Sequence, residues 1–490
     1  MTDAGHTLDI NATFRGGGRS IEWLDEINKA SIVMLAEAGI VPRDVAKRIA
    51  KGIAKLIEIE AQDEKNRRTS ADYLDYEPRL IAIAGPEASR LHTGRSRQDL
   101  ASTIARMNLR DGLLHTIGAL IEAREKLLKR AEEHIDTIIP AYTHGVQAQP
   151  TTFAHYLLAF ESALARATER LQEAYKRVNQ CPLGTAALAT SSFPLDRNRL
   201  AELLGFDGLV ENAYDANHLA PIDSALDVAN AYAMTAVQTG MFAQDLHTQY
   251  ANPTPWFMLP PRGLPSGRAS GELTGTSSIM PQKRNPAALE QLRAQSSILL
   301  SEMQTMTFVA HNNRSGMFDY RLYDPVPYAR ALTVFRLFGS VVYAVVVNKA
   351  RALEEVNADY STTTEIADAL LQKAEVPFRT GHHFASKLTD YGRGKGLKIH
   401  EIPYSEAQRI YQEQAKDQLP LTEAEFREVI SAEYMVFGRK GLGGPQPAEL
   451  QRALAQAGQA LQLDHDRRSL HHEELAAAQA ERTAEFANLV

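Results

Sequence analysis

Cysteine is almost missing from this sequence: Cys181 is the single one in 490 residues. No disulfide can form within the chain, so folding needs no oxidising compartment and a cytoplasmic address is the expectation. Long apolar runs are missing too. No stretch of about eighteen apolar residues occurs, and the first twenty residues lack an apolar signal core, so neither a membrane span nor secretion is expected. Positive charge is not in excess. The formal net charge is −7, which argues against non-specific binding of nucleic acid, since that needs a basic face. HExxH, paired CxxC, Walker and GxGxxG patterns are absent. The pairs His382-His383 and His471-His472 are adjacent, so neither can turn both rings to one ion from a regular helix. No metal and no cofactor is expected. The chain does hold 44% hydrophobic and 23% charged residues, an ordinary globular balance with length enough for two to four domains.

Proline breaks helix interiors, so long proline-free windows mark helices. Such windows cover residues 87–139, 151–181, 222–252, 287–324 and 328–376, and all are rich in Ala, Leu, Glu, Gln and Arg. Ile222, Leu226, Ala229, Ala233, Val237 and Gly240 recur at spacings of three and four, a narrow face of largely small residues. Helices of about thirty residues span roughly 45 Å and pack lengthwise in bundles. The valine-rich runs 340–342 and 345–347 sit inside helix-like sequence without hairpin turns around them. The expected fold is all-α, in three parts: an N-terminal helical domain 1–93, a central long-helix bundle 94–358 and a C-terminal helical domain 359–490. Shorter helices are expected at 21–38 and 43–60, and residues 470–490 read as a surface helix or a frayed end. Residues 253–286 hold seven of the 22 prolines and four glycines. Between two long helices, that composition is more often a functional lid than a neutral connector.

Three polar segments interrupt or flank the long helices: residues 91–99 (LHTGRSRQD), 142–150 (YTHGVQAQP) and the loop 271–290. The text TGTSSIMPQKRNP at 274–286 resembles the signature of the fumarase/aspartase superfamily, and HTGRSRQD resembles argininosuccinate lyases. YTHGVQAQP and VPFRTGHH at 376–383 are similar to the same branch, so the resemblance runs from about residue 21 to 390. It implies a three-part fumarase/aspartase-type fold and a homotetramer with each active site shared among three subunits. It also implies a carbon–nitrogen lyase that reversibly eliminates fumarate from an N-substituted L-aspartate, with a small anionic substrate as its partner.

That chemistry removes a weakly acidic carbon-bound proton beside a carboxylate, so a base must act while cations and N–H donors stabilise the growing negative charge. The resemblance makes Ser277 the base. A serine hydroxyl does not ionise near neutral pH, so this role needs Lys283, loop dipoles and exclusion of water to stabilise the alkoxide. Lys283 and Asn285 correspond to a cradle for one substrate carboxylate, and Ser96, Arg97 and Thr143 to ligands of the other, with Gln98 and Gln147 beside them. His144 resembles the family histidine that pairs with a glutamate matching Glu290, placed to position a water or protonate the leaving amine. A covalent serine is the competing reading. Residues 275–279 form no GxSxG elbow, however, and the lysine lies six residues on from Ser277, not three.

The chain also departs from that branch. Gln98 stands where argininosuccinate lyases generally carry Asn. Residues 311–321, HNNRSGMFDYR, replace a Tyr-Asn-Lys-Asp-like run, and the N-terminal piece reads RGGGR at 15–19. Arg15, Arg19, Arg314 and Arg321 would set cations where argininosuccinate carries its own guanidinium, which repels that substrate and welcomes carboxylates. An aminopolycarboxylate such as ethylenediamine-disuccinate is therefore the favoured substrate. Argininosuccinate stays open if these arginines are only surface or structural, as does a non-catalytic structural protein on the same scaffold.

Overall fold

A computed structural model of the chain describes residues 19–63, 67–260, 273–276, 278–317, 326 and 328–490. The N-terminal part holds α1 (Ser20–Glu37), α2 (Arg43–Gln62) and α3 (Tyr73–Ala84), then a 3-10 turn over Pro86–His92. Pro42 precedes α2, and the Asp72 side chain accepts from the Leu74 N–H to start α3. A first apolar cluster joins these helices through Leu24, Ile53, Tyr76 and Leu80 to Cys181 and Leu203 from later in the chain.

Next come α4 (Arg97–Glu132), a hairpin of β1 (Ile138–Thr143) and β2 (Val146–Thr152), and α5 (Phe153–Val178). Then follow α6 (Arg197–Leu204), α7 (Ala213–His218), α8 (Ala220–Tyr250), α9 (Ala287–Ala310) and α10 (Tyr328–Ala344). The main core lies between α4, α5, α8, α9 and α10, around Leu120, Leu164, Phe242 and Phe335. α8 lies alongside α4 in the same direction, with Thr116 and Tyr232 hydroxyls 2.8 Å apart near mid-length. α9 returns beside α8, where Thr239 meets Ser296 at 3.0 Å. The proline-free windows do hold these long helices, because without proline the backbone ladder continues until a cap residue ends it.

The C-terminal part contains α11 (Lys349–Asn357), α12 (Thr364–Ala374), α13 (Phe378–Lys395), α14 (Tyr404–Ala415), α15 (Glu423–Val429), α16 (Ala432–Phe437) and α17 (Pro447–Ala487). A further apolar cluster gathers Leu370, Phe384, Leu388 and Phe426. Of the two alternatives expected at 470–490, a surface helix or a frayed end, α17 is the helix, largely exposed along this stretch. It is one helix of 41 residues that crosses back over α4, α5 and α6 to α1. Arg124, fully buried on α4, binds Glu161 at 2.9 Å and Asp464 of α17 at 2.5 Å. Arg482 binds Glu26 at 2.7 Å, and Phe486 packs into the N-terminal core. Charged sequence hid this packing, since few of its turns bury an apolar side chain.

The fold is all-α, and among the described residues the sheets are all small and two-stranded. Two of them correct the strand reading. Val346–Val347 leaves the helix at Ala344 and pairs with Phe257–Met258, and segment 142–150 falls within the β1–β2 hairpin. Among the described residues, no helix is long and apolar enough to cross a membrane.

Candidate active site

Segment 91–99 ends in the cap of α4. Ser96 accepts from the Gln98 and Asp99 N–H groups, and Asp99 accepts from the Ser96 N–H at 2.8 Å, a reciprocal capping box. The other Asp99 oxygen accepts from the Gly184 and Ala186 N–H groups at 3.2 and 3.1 Å. Burial pushes this carboxyl up, and those N–H donors with Arg95 oppose the shift. Arg97 is ion-paired with Asp72 at the start of α3. Gln98 Nε2 donates to the Asn217 carbonyl at 3.1 Å, which fixes the segment against α7. The loop after α9 reaches the same place, where the Tyr214 and Ser315 hydroxyls lie 3.0 Å apart. Arg314 is exposed in that loop.

The second segment is a two-residue turn. His144 and Gly145 both take positive φ, 53° and 75°, as a tight hairpin whose twist matches the strands requires. Thr143 and His144 are exposed at its tip. Gln147 donates to the Val356 carbonyl at 3.0 Å and to Ser361 Oγ at 3.1 Å, anchoring β2 to the C-terminal part.

The signature loop is also pinned at its base. Gly275–Thr276 pairs antiparallel with Arg284–Asn285, so the chain between them forms a small hairpin. The Ala288 N–H donates to the Leu273 carbonyl, and Tyr250 Oη, at the end of α8, donates to the Arg284 carbonyl at 3.1 Å. Toward the tip Ile279 is 82% exposed and Lys283 is exposed. Glu290 is exposed on the first turn of α9. Ser277, Arg15 and Arg321 lie outside the described residues. Arg19 stacks on Trp23 with its guanidinium 4.3 Å from the ring centroid and pairs with Glu22 at 2.6 Å.

One chain keeps segment 91–99 apart from the other two, whereas Tyr142, beside the turn, reaches Gln249 and Trp256 close to where Tyr250 holds the loop base. Gln98 touches residue 217, just before α8, whereas the loop base is bound at Tyr250, where α8 ends. The 31 residues between span about 46 Å. The His144 turn is likewise separated from Arg97 by the length of α4, 36 residues or about 54 Å. Sequence reading missed Asp72 and Asn217, which hold Arg97 and Gln98, because their pairing depends on tertiary contacts 25 and 119 residues apart. The hairpin did carry a signal, the His-Gly pair between alternating residues, with glycine at the second turn position. Among the described residues no three His, Cys, Asp or Glu side chains gather to hold a metal ion.

A long-helix bundle carrying a pinned Gly-Thr-Ser-Ser loop between two of its helices is the architecture of fumarate-forming lyases. A family model described as Lyase matches residues 9–299, and one described as Argininosuccinate lyase C-terminal matches residues 360–437. The argininosuccinate lyase of Methanocaldococcus jannaschii is 32% identical over 434 residues, 87% of this chain and 85% of that protein. That of Methanosarcina mazei is 30% identical over 449 residues, 89% and 87% of the two chains. The crystal structure of EDDS lyase in complex with formate superposes with a TM-score of 0.86 at 29% identity, covering 96% of this chain and 92% of that one. The chain belongs to the fumarase/aspartase superfamily, in its argininosuccinate lyase branch. It is a carbon–nitrogen lyase.

Proposed function

We propose that this lyase releases fumarate from an N-substituted L-aspartate whose amine half is itself acidic, ethylenediamine-disuccinate (EDDS) being the type of substrate. Ser277 takes the proton from the substrate carbon, the C–N bond breaks as the C=C bond of fumarate forms, and His144, oriented by Glu290, protonates the departing amine. Lys283 and Asn285 receive the carboxylate next to the abstracted proton, where negative charge grows. Ser96, Arg97 and Thr143 clamp the other, with Gln98 and Gln147 completing the wall. Arg15, Arg19, Arg314 and Arg321 face the distal group. The observation that carries the catalytic part is the signature loop, bound at both ends and exposed at its tip. Such a loop can fold over a substrate and strip water from the serine without disturbing the bundle.

The reading requires several chains per site, because segments about 46 Å apart in one chain must meet. We infer a homotetramer in which the three segments come from three subunits. Support comes from α8 and α9, which leave Met234, Val237, Met241, Ile298 and Phe308 between 41% and 75% exposed, an apolar surface that suits burial against other copies. These side chains include one member of the narrow face read from the sequence, Val237.

The EDDS lyase likeness favours the acidic substrate, and the two argininosuccinate lyase relatives favour argininosuccinate as the second reading. Steady-state assays following fumarate absorbance with both substrates separate them. We expect kcat/KM at least tenfold higher with ethylenediamine-disuccinate; faster turnover of argininosuccinate would overturn the substrate assignment. No fumarate from either would favour a structural role.

A further inference from the structure

Arg97, the first residue of α4, sits where its own helix disfavours it, because a cation at a helix N-terminus opposes the macrodipole. A charge from another helix offsets this. Asp72, the cap of α3, is 7% exposed and pairs with Arg97, whose side chain stays 33% exposed. The carboxylate lies inside and the guanidinium reaches the surface.

The two Asp72 oxygens do different jobs. Oδ1 accepts from the Leu74 N–H at 3.0 Å and starts α3, while the Asp72 N–H donates to Ser70 Oγ at 3.0 Å, so the residue is fixed from both sides. Oδ2 accepts from Arg97 Nη2. Capping alone does not select aspartate, since asparagine and serine cap a helix as well. The negative charge is surplus to the cap and serves Arg97. An arginine has a long flexible stem, and its guanidinium presents five N–H donors in one plane. A carboxylate held at one edge fixes that plane, so a second carboxylate meets donors already aligned. The backbone on either side of Arg97 is held by the Ser96–Asp99 box and by the contact of Gln98 with Asn217. Asp72 extends that order to the side chain.

We propose that Asp72 is a positioning residue of this lyase, holding the Arg97 guanidinium in the plane that receives a substrate carboxylate. The inference rests on the reading of Arg97 as a carboxylate ligand. In that reading the carboxylate at Arg97 is the one away from the carbon that loses its proton, so its contacts are alike in the ground and transition states. Loss of the Asp72 charge therefore weakens binding without slowing the chemical step.

Asp72→Asn keeps an oxygen for the Leu74 N–H and removes the charge that meets Arg97. We expect KM to rise about tenfold with kcat within about threefold of wild type, and fumarate affinity, measured by calorimetry on the full-length protein, to fall by about the same tenfold. An ion pair that only joined α3 to α4 would shift the melting temperature and leave KM and fumarate affinity alone. Asp72→Ser, which also caps, supplies the same readout should Asp72→Asn not fold. Fumarate binding to Arg97→Met, alone and combined with Asp72→Asn, separates the two levels of the argument. If Arg97→Met binds fumarate as wild type does, the reading of Arg97 falls and this proposal with it. If Arg97→Met binds weakly while Asp72→Asn binds normally, or if Asp72→Asn weakens binding equally with and without Arg97, Asp72 does not act through Arg97 and the proposal alone is overturned.

Discussion

At the scale of single residues, the proposed chemistry rests on Ser277, with the field of its own loop proposed to make it basic. Ser277→Ala should lower fumarate release by about 10²–10⁴-fold, the usual contribution of a positioned acid–base group, with an unchanged far-ultraviolet circular dichroism spectrum. Turnover within a few-fold of wild type would remove Ser277 from the mechanism. A second residue contributes to the loss of stability in acid. Burial, then Arg130 and Lys349, hold the His134 imidazole down at about 4 against opposing Glu133 and Asp136. The ring lies 2.9 Å from Arg130 Nη2 and from Thr137 Oγ1. Its folded pKa is below its unfolded value of 6.5, so the unfolded chain binds the extra proton. The stability contributed by neutral His134 is therefore complete above pH 6.5 and lost as pH falls toward 4. Melting temperatures measured across that window should fall less steeply for His134→Gln than for wild type; parallel curves would refute the assignment.

At the scale of elements, the sequence revealed what repeats along a helix and hid what depends on neighbours. Proline spacing located α4, α5, α8 and α9, and the Ser96 cap with Asp99 three residues on is itself a local signal. The β1–β2 hairpin was missed because its strands are short and each carries a proline, Pro140 and Pro150, which argues against a strand, and its one cue is the His144-Gly145 turn. For α17 the sequence left a surface helix and a frayed end both open at 470–490, because its fixing contacts, such as Asp464 with Arg124 and Arg482 with Glu26, join residues 340 and 456 positions apart. The site segments were legible as motifs, yet their supports, Asp72 under Arg97 and Asn217 under Gln98, are visible only in three dimensions. The turn gives a test of the element. A β-branched residue is strained at the Gly145 φ of 75°, whereas asparagine tolerates it. Gly145→Val should therefore cost on the order of tenfold in kcat/KM by displacing Thr143 and His144, while Gly145→Asn should retain most of it. Equal kinetics for the two variants would show that turn geometry does not position the site.

At the scale of the whole molecule, the bundle acts as a spacer. α8 holds the Gln98 contact at one end and the base of the signature loop at the other, so within one chain these two segments stay about 46 Å apart. The exposed apolar residues of α8 and α9 are the surface on which those neighbours would pack. In the proposed assembly a site takes Ser277 from one copy and Arg97 from a second, so damage in one chain is separable from damage in another. The most direct measurement is the turnover of assemblies mixed from two inactive chains, Ser277→Ala and Arg97→Met, unfolded and refolded together. The account predicts that mixed assemblies recover a measurable part of wild-type fumarate release, about a quarter of sites at equal mixing if the two residues come from independent chains. Activity no greater than that of either variant alone, in assemblies shown to contain both chains, would contradict it.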